Sequence, residues 1–206
     1  RRVFRRKLYN GGNKMKKIGL MFVIVLVGVF MVTGCGKTEY LTGKINVEIE
    51  VKDYGTIAVE LDADEAPITV TNFVDLVEEG FYDGLTFHRI IDGFMIQGGD
   101  PNGDGSGGSS RTIKGEFSSN GVDNSIDHVR GVISMARSTM PNSASSQFFI
   151  VQEDSPHLNG EYAAFGHVTS GMEIVDAICE DVQVEDTNGT VLPENQPVIT
   201  SIKVVE

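Results

Sequence analysis

One stretch of this chain places a fixed cation among large apolar side chains. It covers residues 87–100 and includes Arg89, Phe94, Met95 and Gln97. Arginine presents five N–H donors on a rigid plane and stays charged at any working pH, whereas phenylalanine and methionine offer an adaptable apolar surface. Together these residue types favour a ligand that carries an apolar ring next to an amide group, as a proline residue in a peptide does.

Two later segments, residues 131–137 followed by 145–151 and residues 158–168 with the preceding His157, have the same character of apolar runs with a few placed amides and rings. Taken singly, each of these side chains would more often belong to a core or a solvated surface. The combination, in this order along the chain, is what points to a binding site. The candidate residues of these two segments are Ala136, Gln147, Phe149, His157, Leu158 and Tyr162.

The three segments resemble the cyclophilin family of peptidyl-prolyl cis–trans isomerases, in their order and with roughly the separations of that family. The resemblance covers about residues 44–206. It implies that Arg89 is the catalytic guanidinium and that no cofactor takes part. The implied proline pocket consists of Phe94, Met95, Phe149 and Leu158. The other implied substrate-binding residues are Gln97 and Ala136, which contact the substrate backbone, Gln147, and the rim residues His157 and Tyr162.

Two rim positions depart from the best-known pattern of this family. His157 stands where many cyclophilins carry tryptophan, and the chain contains no tryptophan at all. Tyr162 stands where many carry histidine, but it still offers a hydroxyl and an aromatic edge. Because the indole N–H donor is missing, we expect weak binding of the macrocyclic inhibitor cyclosporin. We expect catalysis to survive, because Arg89 and the pocket residues are present.

The sequence predicts no metal centre. The four histidines (His88, His128, His157 and His167) show no ligand spacing such as i, i+4 beside a carboxylate or cysteine. The segment from Asp100 imitates the start of a calcium-binding loop, but its twelfth position is an arginine where a bidentate glutamate is needed. We interpret it as a surface turn. The serines at 134, 145 and 146 lack a nucleophile-elbow context, so hydrolase chemistry has little support.

The first 34 residues indicate a leader. They contain eight basic residues and no acid, and an apolar run of 15 residues follows Met15 and two lysines. That run is short for a membrane-spanning helix, which needs about 20 apolar residues, and suits a signal peptide. The ending Val-Thr-Gly-Cys resembles a bacterial lipobox, so we expect Cys35 to be lipidated. An ordinary secretory signal with a chance cysteine is the alternative.

These features divide the chain into four predicted ranges. Residues 1–14, ahead of Met15, are interpreted as an over-extended reading frame or a fragment. Residues 15–34 are the predicted lipoprotein signal peptide, residues 35–43 a lipidated tether, and residues 44–206 the isomerase domain. The expected location is the outer face of a bacterial cytoplasmic membrane, with the lipid as anchor.

The predicted mature chain is strongly acidic. Nine basic residues face 29 acidic ones from Cys35 onward, which gives a formal charge of −20. That balance argues against nucleic acid or an anionic bilayer as a surface partner. With Cys35 acylated, Cys179 has no partner for an internal disulfide. Because no exposed apolar repeat suggests self-association, we expect a monomer.

Alternating apolar and polar residues predict short strands, and two stretches have helical spacing. The helices are expected from Pro67 to just before Gly80, and around residues 172–178. The strands are expected at 45–50, 57–61, 86–90, 95–98, 132–136, 148–151, 164–168 and 198–205. Many short strands with glycine-rich turns favour a closed antiparallel β-barrel. The family resemblance sharpens this fold class to a mainly β, eight-stranded barrel capped by two α-helices.

The sequence therefore predicts an exported isomerase of X–Pro bonds. Its expected partners are proline-containing peptides and unfolded exported proteins. Two alternatives stay open at this point: a non-catalytic peptide-binding chaperone, and an envelope scaffold that acts through its acidic surface. The presence of Arg89 favours catalysis.

Overall fold

The two longest strands that open the fold form because their residues alternate between apolar and polar. The computed structural model describes residues 39–206. Lys44–Val51 (β1) buries every second side chain, and its buried members are all isoleucine or valine. It forms an antiparallel hairpin with Gly55–Asp62 (β2). Asp53 in the connecting turn has a φ of 66°, a left-handed conformation that aspartate tolerates better than most residues.

The remaining six strands are shorter, and every pairing between neighbours is antiparallel. They are Phe87–Ile91 (β3), Met95–Gly98 (β4), Val132–Met135 (β5), Phe148–Val151 (β6), Ala164–Ser170 (β7) and Ile199–Val205 (β8). The order across the sheet is β3-β4-β6-β5-β7-β2-β1-β8. The prediction of eight antiparallel strands is confirmed, with bounds that differ by one or two residues.

The prediction that this barrel is closed is slightly too strong. The hydrogen-bonded order ends at β3 and β8, and these edges meet only over a short stretch, between residues 84–87 and 197–199. Thr86 and Val198 form a single bridge, and the N–H of Phe87 donates to the carbonyl of Pro197 at 3.0 Å. Because proline has no N–H to donate, this contact cannot extend into a regular ladder. The sheet is therefore a curled barrel with a short irregular seam.

The two predicted helices are present, at Pro67–Glu78 (α1) and Met172–Asp181 (α2). α1 packs against β2 and β8, and α2 packs against β2 and β4. Phe73 of α1 lies at the centre of an aromatic group, with its ring centroid 5.0 Å from Tyr82, 5.2 Å from Phe165 and 5.5 Å from Phe148. All four side chains are fully buried, so they join the helix to β6, to β7 and to the loop that follows the helix.

Three 3₁₀-helical turns lie in the connections, and the sequence analysis did not predict them. They are Ser118–Asn120, Pro156–Leu158 and Pro193–Asn195.

Residues 40–206 form one compact unit. Cys179 is buried there as a free thiol, and burial raises its pKa to about 12. The predicted leader and the lipidation site Cys35 lie outside the described residues.

None of the helices within residues 39–206 has the length and apolar character needed to cross a membrane.

The first turn of α1 is capped by a side chain that is distant in sequence. The residue before the helix, Ala66, has no capping side chain. Instead, Glu116 accepts hydrogen bonds from the N–H of Ile68 at 3.0 Å, and from the N–H and hydroxyl of Thr69 at 2.8 and 2.7 Å. Glu116 is only 2 % exposed. A buried carboxylate at a helix N-terminus satisfies free N–H groups and complements the helix dipole.

We predict that Glu116→Ala lowers the free energy of unfolding by about 3 kcal/mol, because it leaves three buried donors without an acceptor. Glu116→Gln, which keeps one acceptor oxygen, should cost less. The control is Glu78→Ala at the exposed opposite end of α1, which should change stability by less than about 0.5 kcal/mol. Urea unfolding followed by circular dichroism measures all three. Equal stability of Glu116→Ala and Glu78→Ala would contradict this account of the cap.

Candidate active site

The pleat of the sheet separates an inner core from a second apolar cluster on the outer face. Successive side chains of a strand point to opposite faces. In β4 and β6, Ile96 and Phe148 therefore join the inner core, whereas Met95 and Phe149 face outward. The buried members of this outer cluster are Met95, Val132, Phe149, Val151, Leu158 and Ala164. Partly buried hydrophobic residues around it include Ile91, Phe94, Ile126, Ala136 and Tyr162.

The four residues predicted to form a proline pocket all belong to this outer cluster. Met95 and Phe149 come from adjacent strands, Phe94 from the β3–β4 turn, and Leu158 from the second 3₁₀ turn. Met95 and Leu158 are buried, and Phe94 is partly exposed. The cluster is thus an apolar surface that solvent can reach at its edge.

The two predicted rim residues flank this surface. The ring of Tyr162 meets Phe149 edge-on, with centroids 5.8 Å apart, and the imidazole of His157 lies 5.5 Å from the ring of Phe94. His157 is exposed, whereas Tyr162 is partly buried. The two side chains therefore border different parts of the cluster.

Arg89 reaches the outer face because β3 contains a register irregularity. Phe87 pairs with Gly98 and Arg89 with Gln97, so His88 is an extra residue between them. Such a bulge reverses the alternation of inward and outward side chains. Phe87 and Ile90 consequently both lie in the inner core, and Arg89 lies on the face that carries the apolar cluster.

His88 adds no charge beside Arg89. Its ring is buried, and neither ring nitrogen has a hydrogen-bond partner among the described residues. Burial lowers the pKa of His88, an effect that the nearby Arg89 reinforces and the carboxylates of Asp100 and Asp104 oppose. The imidazole is therefore neutral at pH 7.

A chain of amides holds one end of the Arg89 guanidinium. Nη1 donates to Oε1 of Gln97 at 3.2 Å, and Nε2 of Gln97 donates to Oε1 of Gln147 at 2.9 Å. Nε2 of Gln147 in turn donates to the carbonyls of Gly107 at 2.8 Å and Gly105 at 3.1 Å. Each amide is thereby oriented by the next.

The loop that anchors this chain of amides is organised around Asp100. The Asp100 carboxylate is 1 % exposed. It accepts hydrogen bonds from the N–H groups of Asn102 at 2.8 Å, Gly105 at 2.6 Å and Asp104 at 3.2 Å. The segment whose sequence imitates a calcium-binding loop thus folds as a turn around its own aspartate.

The other side of Arg89 is held by Asn188, which the sequence analysis missed. Nε of Arg89 donates to the backbone carbonyl of Asn188 at 2.8 Å, and Nη2 donates to its side-chain Oδ1 at 3.3 Å. Asn188-Gly189 is a turn signature, so a turn could have been expected there. Its contact with a residue 99 positions earlier has no signal in the sequence.

Arg89 differs from the other three arginines of the described chain in its partners. Arg111, Arg130 and Arg137 form ion pairs with Asp75, Asp176 and Glu161, respectively. For Arg89 the structure describes hydrogen bonds to neutral amides only. Partial burial lowers its pKa, an effect that the nearby Tyr162 and the carboxylate of Asp186 oppose, and a guanidinium stays ionised at working pH. A positive charge with no carboxylate in direct contact therefore lies beside the apolar cluster, where it can polarise or donate to an amide.

Tyr162 is fixed by Arg137, another residue that the sequence analysis missed. The Arg137 guanidinium lies over the Tyr162 ring, 4.7 Å from its centroid, and 5.0 Å from that of Phe117. Its Nε donates to the carbonyl of Glu161 at 2.9 Å. Cation–π contacts of this kind are worth about 0.5–2 kcal/mol each, so they restrict the tyrosine ring at the rim.

Ala136 separates the apolar cluster from a more polar cavity. It follows β5, and its N–H donates to the carbonyl of Gln147 at 3.0 Å. The cavity has a volume of about 310 Å³ and is lined by Gln97, Gly105, Ser106, Gly107, Ala136, Arg137, Ser138, Ser143, Ser145 and Gln147. An extended ligand on this surface could therefore place one residue on the apolar cluster and a neighbouring residue in the cavity.

The structure thus places all ten predicted catalytic and substrate-binding residues on one face, around the outer cluster. The arrangement holds a guanidinium, side-chain amides and an apolar surface within one groove. The hydroxyl of Ser134 lies 2.9 Å from Nε2 of His128 beneath Phe149, but both side chains are buried and cannot meet a substrate. Within residues 39–206 no group of three or more histidine, cysteine or acidic side chains could hold a metal ion.

Comparison with known proteins agrees with this geometry. Residues 46–204 match the model of the family described as cyclophilin type peptidyl-prolyl cis-trans isomerase/CLD. Peptidyl-prolyl cis-trans isomerase B of Bacillus subtilis is 50% identical over 123 residues, which are 60% of this chain and 82% of that protein. A peptidyl-prolyl cis-trans isomerase of Helicobacter pylori is 46% identical over 144 residues, 69% of this chain and 81% of that protein.

Solved structures of peptidyl-prolyl cis-trans isomerases resemble this fold. A cyclophilin type peptidyl-prolyl cis-trans isomerase of Cryptosporidium parvum superposes with a TM-score of 0.70 at 33% identity, covering 80% of this chain and 99% of that one. A second structure of it, determined in the presence of the dipeptide Ala-Pro, gives a TM-score of 0.69 at 34% identity. From its fold, its outer-face groove and these relatives, the chain belongs to the cyclophilin family and is a peptidyl-prolyl cis–trans isomerase.

Proposed function

We propose that Arg89 catalyses this isomerisation by donating to the nitrogen of the proline that enters the outer cluster. The observation that carries the proposal is a guanidinium held by neutral amides, with no carboxylate in direct contact, beside an apolar pocket. A carboxylate partner would offset much of the positive charge that acts on the prolyl nitrogen. Amide acceptors orient the group and leave its charge available.

The physics of the reaction requires little more than such a donor. The barrier to rotation about an X–Pro bond, about 18–20 kcal/mol, comes from conjugation of the nitrogen lone pair with the carbonyl. A donor at the prolyl nitrogen favours a pyramidal, deconjugated nitrogen, which is the form found in the transition state. Lowering the barrier by about 7 kcal/mol accelerates exchange roughly 10⁵-fold. A preorganised charge in a partly dry site acts mainly on the transition state and can supply this difference.

The other residues of the groove have complementary roles in this proposal. Phe94, Met95, Phe149 and Leu158 hold the proline ring while the rest of the peptide rotates. Gln97, Ala136 and Gln147 bind the substrate backbone, and His157 and Tyr162 border the groove. No proton transfer, covalent intermediate or cofactor is needed for a rotation.

We predict that Arg89→Ala reduces kcat/KM by about 10²- to 10³-fold, because it removes the only charge aimed at the reacting amide. Exchange of an Ala-Pro peptide, followed by NMR without a coupling protease on residues 36–206, measures the rate. Arg111→Ala is the matched control, since that arginine pairs with Asp75 away from the groove, and its activity should stay within about twofold of the parent.

Three results would contradict the proposed mechanism. Full activity of Arg89→Ala would exclude the guanidinium as the catalytic group. Peptide binding by both proteins without acceleration by either would favour the peptide-binding chaperone, and interactions that only high salt abolishes would favour a scaffold that acts through the acidic surface.

The residue at rim position 157 also leads us to expect weak binding of cyclosporin. His157 is exposed beside Phe94, and it lacks the indole N–H and the larger apolar area of a tryptophan. We predict that His157→Trp strengthens cyclosporin binding about tenfold and changes kcat for the Ala-Pro peptide by less than about threefold. Calorimetric titration and the NMR assay measure these quantities. An affinity for cyclosporin that does not change would show that the rim residue at 157 does not limit binding.

We propose further that the protein works on exported proteins as a lipid-anchored monomer at the outer face of a bacterial cytoplasmic membrane. The support is the signal-like leader that ends in Val-Thr-Gly-Cys and the acidic composition of the remainder, which leaves the lipid as the means of membrane attachment. Its clients would be unfolded proteins that emerge there with unisomerised X–Pro bonds.

The anchor can be tested in a bacterium that expresses the full-length chain. We predict that the parent incorporates labelled palmitate and partitions into detergent, whereas Cys35→Ala does neither. Cys179→Ala, which removes the buried thiol, is the control and should behave like the parent. Equal labelling of Cys35→Ala and the parent would remove Cys35 as the lipidation site.

A further inference from the structure

We infer that Asn188 is a positioning residue that holds the Arg89 guanidinium in its catalytic orientation through neutral acceptors and without a direct ion pair. The inference rests on the proposed catalytic role of Arg89. It concerns a residue that acts through Arg89 and not on the substrate itself.

The two contacts of Asn188 fix the plane of the guanidinium. The backbone carbonyl of Asn188 accepts from Nε of Arg89, and its side-chain oxygen accepts from Nη2. Gln97 accepts from Nη1. A planar fork held at three of its nitrogens has little freedom to rotate. Two of its five N–H donors remain available for a substrate.

The turn that carries Asn188 can approach β3 only because the next residue is glycine. Gly189 has a φ of 81°, and a Cβ there would lie 2.2 Å from the carbonyl oxygen of Ile90. Without a side chain, its carbonyl accepts from the N–H of Ile90 at 2.8 Å. The N–H of Val191 donates to the carbonyl of His88 at 3.1 Å. The turn is thereby held against β3 on both sides of Arg89.

The same turn is organised internally by Asp186. One oxygen of this carboxylate accepts from the N–H groups of Asn188 at 2.9 Å and Thr190 at 3.1 Å, and the other accepts from the Thr190 hydroxyl at 3.0 Å. The backbone and hydroxyl donors of Thr190 lower the pKa of Asp186. The carboxylate is therefore ionised at neutral pH and directs its hydrogen bonds to the turn. Its charge acts on Arg89 from a distance and opposes the fall in the pKa of Arg89, whereas Asn188 contacts Arg89 directly.

The neutrality of Asn188 is as important as its position. An aspartate at 188 could accept the same hydrogen bond from Nη2, but it would pair with the guanidinium as Asp176 does with Arg130. A carboxylate so close would offset part of the positive field at the prolyl nitrogen. Asparagine supplies the acceptor without the opposing charge.

The decisive experiment compares Asn188→Ala and Asn188→Asp with the parent in the NMR exchange assay, on residues 36–206, whose compact unit spans residues 40–206. We expect kcat of Asn188→Ala to fall about five- to tenfold with KM within about twofold, because the ground-state contacts to the peptide are untouched. Asn188→Asp should lose at least as much kcat, although it keeps the hydrogen-bond acceptor. Gly189→Ala should lose more than Asn188→Ala, because the added Cβ displaces the whole turn.

Matched controls separate positioning from general damage to the turn. Thr187→Ala changes an exposed residue of the same turn and should keep kcat within about twofold. The double variant Arg89→Ala/Asn188→Ala should be no slower than Arg89→Ala alone, because a residue that acts through Arg89 has no effect once Arg89 is gone. The Nη2–H resonances of Arg89 in ¹⁵N spectra should exchange faster with water in Asn188→Ala than in the parent, because their acceptor, Oδ1 of Asn188, is gone.

The outcomes distinguish this inference from the proposed mechanism. If Arg89→Ala is inactive but Asn188→Ala and Asn188→Asp both match the parent, Asn188 has no positioning role and the catalytic role of Arg89 stands. If Asn188→Asp matches the parent while Asn188→Ala is slow, the acceptor matters and its neutrality does not. If the double variant is much slower than Arg89→Ala, Asn188 acts independently of Arg89, and the inference is wrong.

Discussion

The charge of Arg89 is the constraint on which the rest of this site depends. A guanidinium beside an apolar cluster needs partners for its donors, and carboxylate partners would offset the positive charge on which the proposed mechanism relies. The structure supplies amide oxygens instead, from Gln97 on the neighbouring strand and from Asn188 on a distant turn. The chain carries 29 acidic residues, yet the hydrogen bonds that the structure describes for Arg89 all go to amide oxygens.

Two loops with a common design support these amides. The loop after β4 is organised by Asp100 and holds Gln147, which orients Gln97. The turn before β8 is organised by Asp186 and carries Asn188. In each loop the carboxylate accepts backbone N–H groups, so its oxygens are occupied within the loop. Acidic residues thus build the scaffold around the cation, and their hydrogen bonds are directed to backbone N–H groups of their own loops and, at Asp186, also to the hydroxyl of Thr190.

The inner face of the sheet forms the hydrophobic core, and the outer face carries the proposed binding site. The inner core, with the aromatic group around Phe73, is fully buried and supplies most of the apolar area. The outer cluster of Met95, Phe149 and Leu158 stays open at its edge, where Phe94 and Tyr162 are partly exposed. Because alternate residues of the same strands serve both faces, the position of the pocket is determined by the rigid core behind it. A proline ring can then meet an apolar surface that needs little rearrangement.

The sequence alone determined the strands, the two helices and the ten candidate site residues, because alternation, helical spacing and the family resemblance are local patterns along the chain. The tertiary structure decided what depends on distant contacts. The extra residue at His88 sets which face Arg89 occupies, and the seam at Pro197 leaves the barrel short of full closure. Glu116 caps a helix 48 residues away, and Asn188 reaches Arg89 across 99 residues. No periodicity in the sequence indicates such pairings, because they form only when the fold brings distant parts of the chain together.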